Sequence, residues 1–497
     1  PNAVPANNGT ATPNFAGAIR LTPVLDFGVD VNGITFDNGA GAFNIITFNA
    51  SVLTLRGGGV TNNNPNVAQA ISAGTSVAAP QTWGGVGALT VGGAIALGTN
   101  TLTINSPSTI GLGGNVSGSG SIVKNGAGAV VLTGNNSFSG GVTLNEGTLA
   151  IGLNAGLGTG VLTINGGKLE GTGGNRVLGN AVVINNDFAV PSGTGVTFAG
   201  PVTLTGNHTL TNGIANLAIS GAIGEDAPGR ELTLAGGGTL SLSGAALVLG
   251  TSLKFNAGTL SATGLINGAG HTLTQNAGTF TGSLINRGAF VYNGGTHSGN
   301  IANDAGGDAT FNANLTLTAA LNNFGTVRVA NSRTLTFGTQ QLNNAGTIEL
   351  VGGTLSANGA TSFVSSGIVS GYGTITTNNT SFSNTGQIQV SGGNLTLASN
   401  FSFTNSGTIT VPSGRQMQWN SAAGFSNVGL MQLTGGAITG TGSLSNSGGG
   451  EIRGSGTVQS ALTNAGGLVR ATGTEALTIA NLFGNRLIDL CVAPSDD

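Results

Sequence analysis

The sequence predicts an all-β fold, a right-handed parallel β-helix or β-solenoid, with roughly 20 residues per rung. Three observations predict it: a long internal period, alternation of apolar and polar residues within each period, and a composition that disfavours helices.

The period is plainest between residues 265 and 470. Eleven units carry an Asn-x-Gly-like turn, at Asn267, Asn286, Asp304, Asn323, Asn344, Ser365, Asn384, Asn405, Asn427, Asn446 and Asn464, at nearly even intervals. Two positions earlier an apolar residue stands in ten of the eleven: Leu265, Leu284, Leu321, Leu342, Phe363, Phe382, Phe403, Phe425, Leu444 and Leu462, with Ala302 the exception. Four positions after the turn an apolar residue returns, as Phe290, Val327, Ile348, Val369, Ile388, Ile409, Met431 and Leu468. Polar residues alternate with it, as in Gly-Thr-Ile-Glu-Leu at 346–350, which is the period of a strand with one buried face.

Short strands that return to register once per unit describe a coil whose turns stack on one another. Inward side chains then form columns. Asn suits the turns because it accepts positive φ, and stacked amides can bond to one another as ladders. At this period 497 residues make roughly 25 rungs, and about 120 Å of stacked strands.

Composition agrees. Gly supplies 91 residues and charged residues only 6%. The absence of a strict every-third-residue Gly excludes collagen, and no apolar stretch reaches the length of a membrane-spanning helix. With 14 Lys and Arg against 17 Asp and Glu, the chain lacks the basic field that nucleic acid requires. Nucleic acid is therefore excluded as a partner. The lone Cys491 has no intramolecular mate; it reads as a buried free thiol, with an intermolecular bridge as the alternative.

The sequence opens at Pro1 without a basic-then-apolar leader, as a processed mature product would. Three regions are expected. Residues 1–25, with Pro1, Pro5, Pro13 and Pro23, read as a loop or strand-exchange segment; 26–474 as a continuous solenoid; and 475–497 as a cap or subunit joint.

Residues 116–169 carry more specific motifs. Lys124 to Gly128 reads Lys-x-Gly-x-Gly, Leu132 to Gly141 reads Leu-x-Gly-x-Asn-x-aromatic-x-Gly-Gly, and Asn145 to Leu149 reads Asn-x-Gly-Thr-Leu. This stretch resembles the autotransporter-associated β-strand repeat. Residues from about 50, including Gln81-Thr-Trp83 and Thr101-Leu-Thr-Ile104, resemble the segments that precede that repeat in large secreted bacterial proteins. The resemblance implies export across a bacterial envelope, an extracellular or cell-surface location and a β-helical passenger, adhesive in many members. It implies no shared catalytic site. It also implies a C-terminal translocator barrel, which this sequence lacks, so a cleaved or barrel-free protein is expected.

Residues that could carry chemistry are few, and no catalytic, cofactor-binding or metal-binding residue is assigned. Asp26, Asp30 and Asp37 could gather around Ca²⁺, but no calcium-loop motif frames them. The segment Gly224-Glu-Asp-Ala-Pro-Gly-Arg-Glu231 reads as a solvated loop. His208, His271 and His297 read as surface residues without catalytic companions. Gly111-Leu-Gly-Gly114 lacks the Lys and Ser/Thr of a phosphate loop. Trp83, Trp419, Tyr292 and Tyr372 are the aromatic candidates for a glycan platform, and each also suits the core.

The leading expectation is a secreted structural protein that self-associates head to tail into a fibre, sheath or matrix. The second is an adhesin passenger that contacts glycans or a cell surface. A carbohydrate-active enzyme is the third, and rests on fold analogy alone.

Overall fold

In the computed structural model the described residues are 6–191, 194–214, 216–244, 247–338, 340–378, 380–483 and 488–489. Cys491 and most of the expected C-terminal joint lie outside them. No helix occurs among the described residues, and every described strand pairing is parallel apart from two isolated bridges. The fold is a parallel β-solenoid of about 23 turns. That is fewer than the count expected from the period, because some early rungs are longer, as where Asn44 pairs with Ala70.

The chain divides into two compact units, Pro1–Ser252 with Ala257–Thr259, and Leu253–Asn256 with Leu260–Asp497. In the first, one stack of short strands advances by a constant step, Leu102↔Ile122↔Val142↔Leu162↔Val182↔Val202. A second stack aligns Val130, Leu149 and Leu169. A third aligns Leu178, Phe198, Ile219 and Leu242. Very short strands suffice, because two inward side chains with one outward between them complete a face; the burial of Val142-Thr-Leu144 alternates in that way. The segment 1–25 contributes two short strands, Asn14–Phe15 and Val24–Leu25, paired with Thr35–Phe36 and Ile46–Thr47.

The second unit stacks the repeat read from the sequence. Leu265, Leu284, Ile301, Leu321, Leu342, Phe363, Phe382, Phe403, Phe425, Leu444 and Leu462 follow one another in register. All are buried. Phe363 lies on Phe382 with centroids 4.1 Å apart and planes 5° from parallel; Phe403 and Phe425 follow at 4.9 and 4.6 Å steps. Trp419 closes on Phe403 and Phe425 from the adjoining face, at 5.9 and 5.5 Å.

Three details differ from the sequence reading. The column residue at the third unit is Ile301, and its amide is Asn303; Ala302 and Asp304 point elsewhere, because this rung is shorter than its neighbours. Asp304 instead pairs with Arg287 outside at 2.9 Å. In the last unit the buried residue is Val469, which stacks on Ile452, and Leu468 sits beside Glu451. Finally, the repeated Asn residues lie at or one residue before the ends of short strands rather than in turns, and none has positive φ.

Their side chains point inward and form the ladder that the repeat suggested. Asn267, Asn286, Asn303 and Asn323 each donate Nδ2 to the next Oδ1 at 2.8 Å, ending in Asn344, which donates to the Ser365 hydroxyl at 3.0 Å. A second run links Asn384, Asn405, Asn427, Asn446 and Asn464 at 2.7 to 2.9 Å. The remaining amide hydrogen reaches a backbone carbonyl of the neighbouring face, as Asn323 does to Thr347 at 2.9 Å. Buried amides are costly unless bonded, and stacking identical residues supplies the bonds.

Candidate functional site

The residues of the Lys-x-Gly-x-Gly motif form the most specific polar structure in the first unit. Lys124 occupies an inward position between Ile104 and Leu144 and is 1% exposed. Its stem fills the apolar column. Its ammonium turns to the end of the strand and donates to the carbonyls of Asn125, Gly126 and Glu146, the first at 2.9 Å and the last at 3.0 Å. One cation thus joins two rungs. Burial pulls its pKa down to about 8, with Glu146 acting in the opposite sense. The Gly of Asn-x-Gly-Thr-Leu fits the same arrangement: a Cβ on Gly147 would stand 2.6 Å from Nζ.

Around this node the motif Asn residues build an outer ladder. Asn145 donates to Asn125 and Asn165 to Asn145, both at 2.7 Å, and Asn185 to Asn165 at 2.9 Å; the Thr205 hydroxyl caps Asn185. The even spacing of these residues is present in the sequence, but the inner ladder, with more rungs, masks it. A shallow groove of about 340 Å³ beside it is lined by Glu146, Lys168, Asp187 and Phe188 among others.

Other candidates are placed apart. Asp30 holds Arg56 through two bonds at 2.8 and 2.9 Å, a pairing that keeps its carboxyl below the usual range. Asp37 accepts from Asn14, and Asp26 is exposed, so the three do not gather; no cluster of metal-ligating side chains occurs among the described residues. In the segment 224–231, Arg230 pairs with Asp226, and the Glu225 carboxylate accepts the backbone N–H of Gly229 and Arg230. This closes a surface loop on itself. Gly111 is the central residue of the strand Ile110–Leu112 and Gly113 follows its end, so Gly111 is a strand glycine and not a turn residue.

Three of the four aromatic candidates are core residues. Trp83, Trp419 and Tyr292 are at most 1% exposed, and Tyr292 donates to the Gly295 carbonyl at 2.6 Å. Tyr372 lies against Gly392 and Gly393 of the following rung. The three buried rings therefore offer no open platform for a sugar, and Tyr372 is half-buried.

The histidines are not uniformly surface residues. His297 is 3% exposed, packed edge-on to Phe280 at 4.6 Å, and desolvation drives its pKa down to about 4. The sequence hid this because Thr-His-Ser looks like an exposed polar triplet. A charged row that sequence reasoning missed runs outside the second unit, where Arg328 bridges Asp308 at 3.0 Å and Glu349 at 2.7 Å. It links three successive rungs.

The comparison with family models agrees with the geometry around Lys124. Residues 122–151 match the passenger-associated transport repeat. The matched segment runs from the strand that carries Lys124 to the strand Thr148–Ile151, and so includes both rungs that the lysine joins. The transport repeat and the stacked parallel rungs together fit an autotransporter-type passenger repeat protein. No curated protein matches the chain, and no solved structure does.

Proposed function

We propose that this chain is an exported bacterial surface protein whose solenoid is a non-catalytic structural body that self-associates into a fibre, sheath or matrix. The observation that carries the reading is the transport repeat at 122–151, set within a long succession of parallel rungs. Passenger repeats of this kind imply secretion to the cell surface.

Two features support a structural role over a catalytic one. The polar residues that are buried serve the scaffold: inner Asn residues bond to their own kind, and Lys124 caps a strand end. Several ionisable side chains outside pair along the rungs, as Asp308, Arg328 and Glu349 do. Three of the four aromatic residues expected of an adhesin platform, Trp83, Trp419 and Tyr292, serve packing instead.

Electron microscopy of native, undenatured material tests the proposal. Continuous filaments are expected, and discrete particles at all concentrations would overturn it. A screen against polysaccharides is expected to release no product; any turnover that survives repurification would return the enzyme reading.

A further inference from the structure

Rungs in the second unit are joined by continuous backbone pairing on most faces, but one face is interrupted. Thr296–Ser298 pairs with Thr279–Thr281 on one side. On its other side lies Leu315–Leu317, which pairs onward with Leu335–Phe337, and among the described residues no backbone hydrogen bond joins it to Thr296–Ser298. The seam opens into a cavity of about 400 Å³ lined by Tyr292, Thr296, His297, Ser298, Asn314 and Thr316, among others.

His297 stands at this seam. Its imidazole is buried against Phe280 and Phe290, and no side chain among the described residues bonds either ring nitrogen; the Gly299 backbone is the one polar group near enough to interact with the ring. The cavity lining contributes no Asp, Glu, Lys or Arg; Tyr292 is the other titratable group, and its hydroxyl is engaged with Gly295. From the neighbouring strands Phe280, Phe290 and Leu315 face the ring with apolar groups. Only the Gly299 backbone favours a charge there.

We propose that His297 makes this seam an acid-opened break in one face of the solenoid: when the imidazole gains a proton, Thr296–Ser298 and Leu315–Leu317 part locally, while the Asn303 ladder and the pairings of Ile301–Asn303 and Asp308–Phe311 keep the other faces closed. A buried cation with no counter-charge is expensive, and on this face, among the described residues, no backbone bonds resist opening; the Tyr292 hydroxyl, 3.4 Å from the Asn314 carbonyl, is the side-chain tie that would have to give. The neutral ring prevails when closed because burial lowers its proton affinity from the ordinary 6.5 to about 4. The closed state is therefore undisturbed above pH 6.5 and loses stability progressively from there down to about pH 4. At pH 5 the opening equilibrium is roughly thirty-fold more favourable than at pH 8.

Hydrogen–deuterium exchange on the intact chain at pH 8 and pH 5, corrected for intrinsic rates, tests this. Peptides within 294–300 and 312–318 are expected to lose roughly thirty-fold in protection at pH 5, while those within 301–311 and 382–411 keep theirs. His297→Phe is expected to abolish the change. Equal protection of 294–300 and 312–318 at both pH values, or an undiminished loss in His297→Phe, would overturn the proposal. Should His297→Phe not fold, imidazole NMR of the unaltered chain decides: titration of His297 close to pH 6.5 contradicts the proposal, and a neutral ring down to pH 5 supports it.

Discussion

Asn405 donates its side-chain amide to the oxygen of Asn427 at 2.8 Å, two residues beyond the point where Phe403 and Phe425 stack. Both amides are fully buried. Packing and polar satisfaction are thus delivered by the same short strand, Phe-x-Asn, repeated once per rung.

Asn405→Leu should therefore cost more than its size suggests. It strands the Nδ2 of Asn384 and the Oδ1 of Asn427 in an apolar interior, at about 1–3 kcal/mol for each group. Asn267→Leu, at the first rung of the inner ladder, where the Oδ1 of Asn267 has no donor, strands one side-chain neighbour, Asn286, and should cost about half as much. Urea unfolding followed by circular dichroism compares the two.

The ladder has a gap that a mutation can close. Ser365 accepts from Asn344 but is too short to serve Asn384, whose Oδ1 is buried without a partner. Ser365→Asn should raise the unfolding midpoint, by about 1 kcal/mol of stability if the longer side chain fits. A drop would mean that the rung is already filled.

Two glycines with positive φ should respond differently. A Cβ on Gly371 would collide with the Leu350 carbonyl oxygen, whereas nothing lies within 4 Å of one on Gly414. Gly414→Ala should cost about 1–2 kcal/mol from backbone strain alone. Gly371→Ala should cost clearly more or prevent folding. Thermal melts of the pair check the difference.

Lys124 gives the first unit a signature in alkali. Its pKa of about 8 lies below the 10.5 of a free lysine, so the unfolded chain holds the proton more tightly between those values. Stability should rise with pH across that window, and Lys124→Met, which keeps the apolar stem, should flatten the rise. Denaturant titrations at pH 8 and pH 10 measure it.

Much of this architecture was legible in the sequence because a solenoid repeats its solution. Leu or Phe two positions before a recurring Asn, rung after rung, leaves little else for those residues to do than stack. The step at Asn303 was missed because Asn-Asp at 303–304 offers two candidates, and only the pairing of Ile301 with Leu284 decides between them. The transport-repeat motifs were recognisable as letters, but not the reason for Lys124. A lysine in an apolar column looks like an outward residue until the carbonyls of Asn125, Gly126 and Glu146 are seen around its ammonium. His297 was misread for the same reason: its neighbours Phe280 and Phe290 lie one rung away and on the adjoining face.

Engineered disulfides test the parallel, in-register stacking of rungs most directly. Thr404 and Ser426 are outward residues paired in adjacent strands, and Thr404 and Ser445 are two rungs apart. In a Cys491→Ser background, cysteines at 404 and 426 should oxidise to an intramolecular bridge in the folded protein, while cysteines at 404 and 445 should not. Bridging of the distant pair, or failure of the adjacent pair in folded protein, would contradict the account.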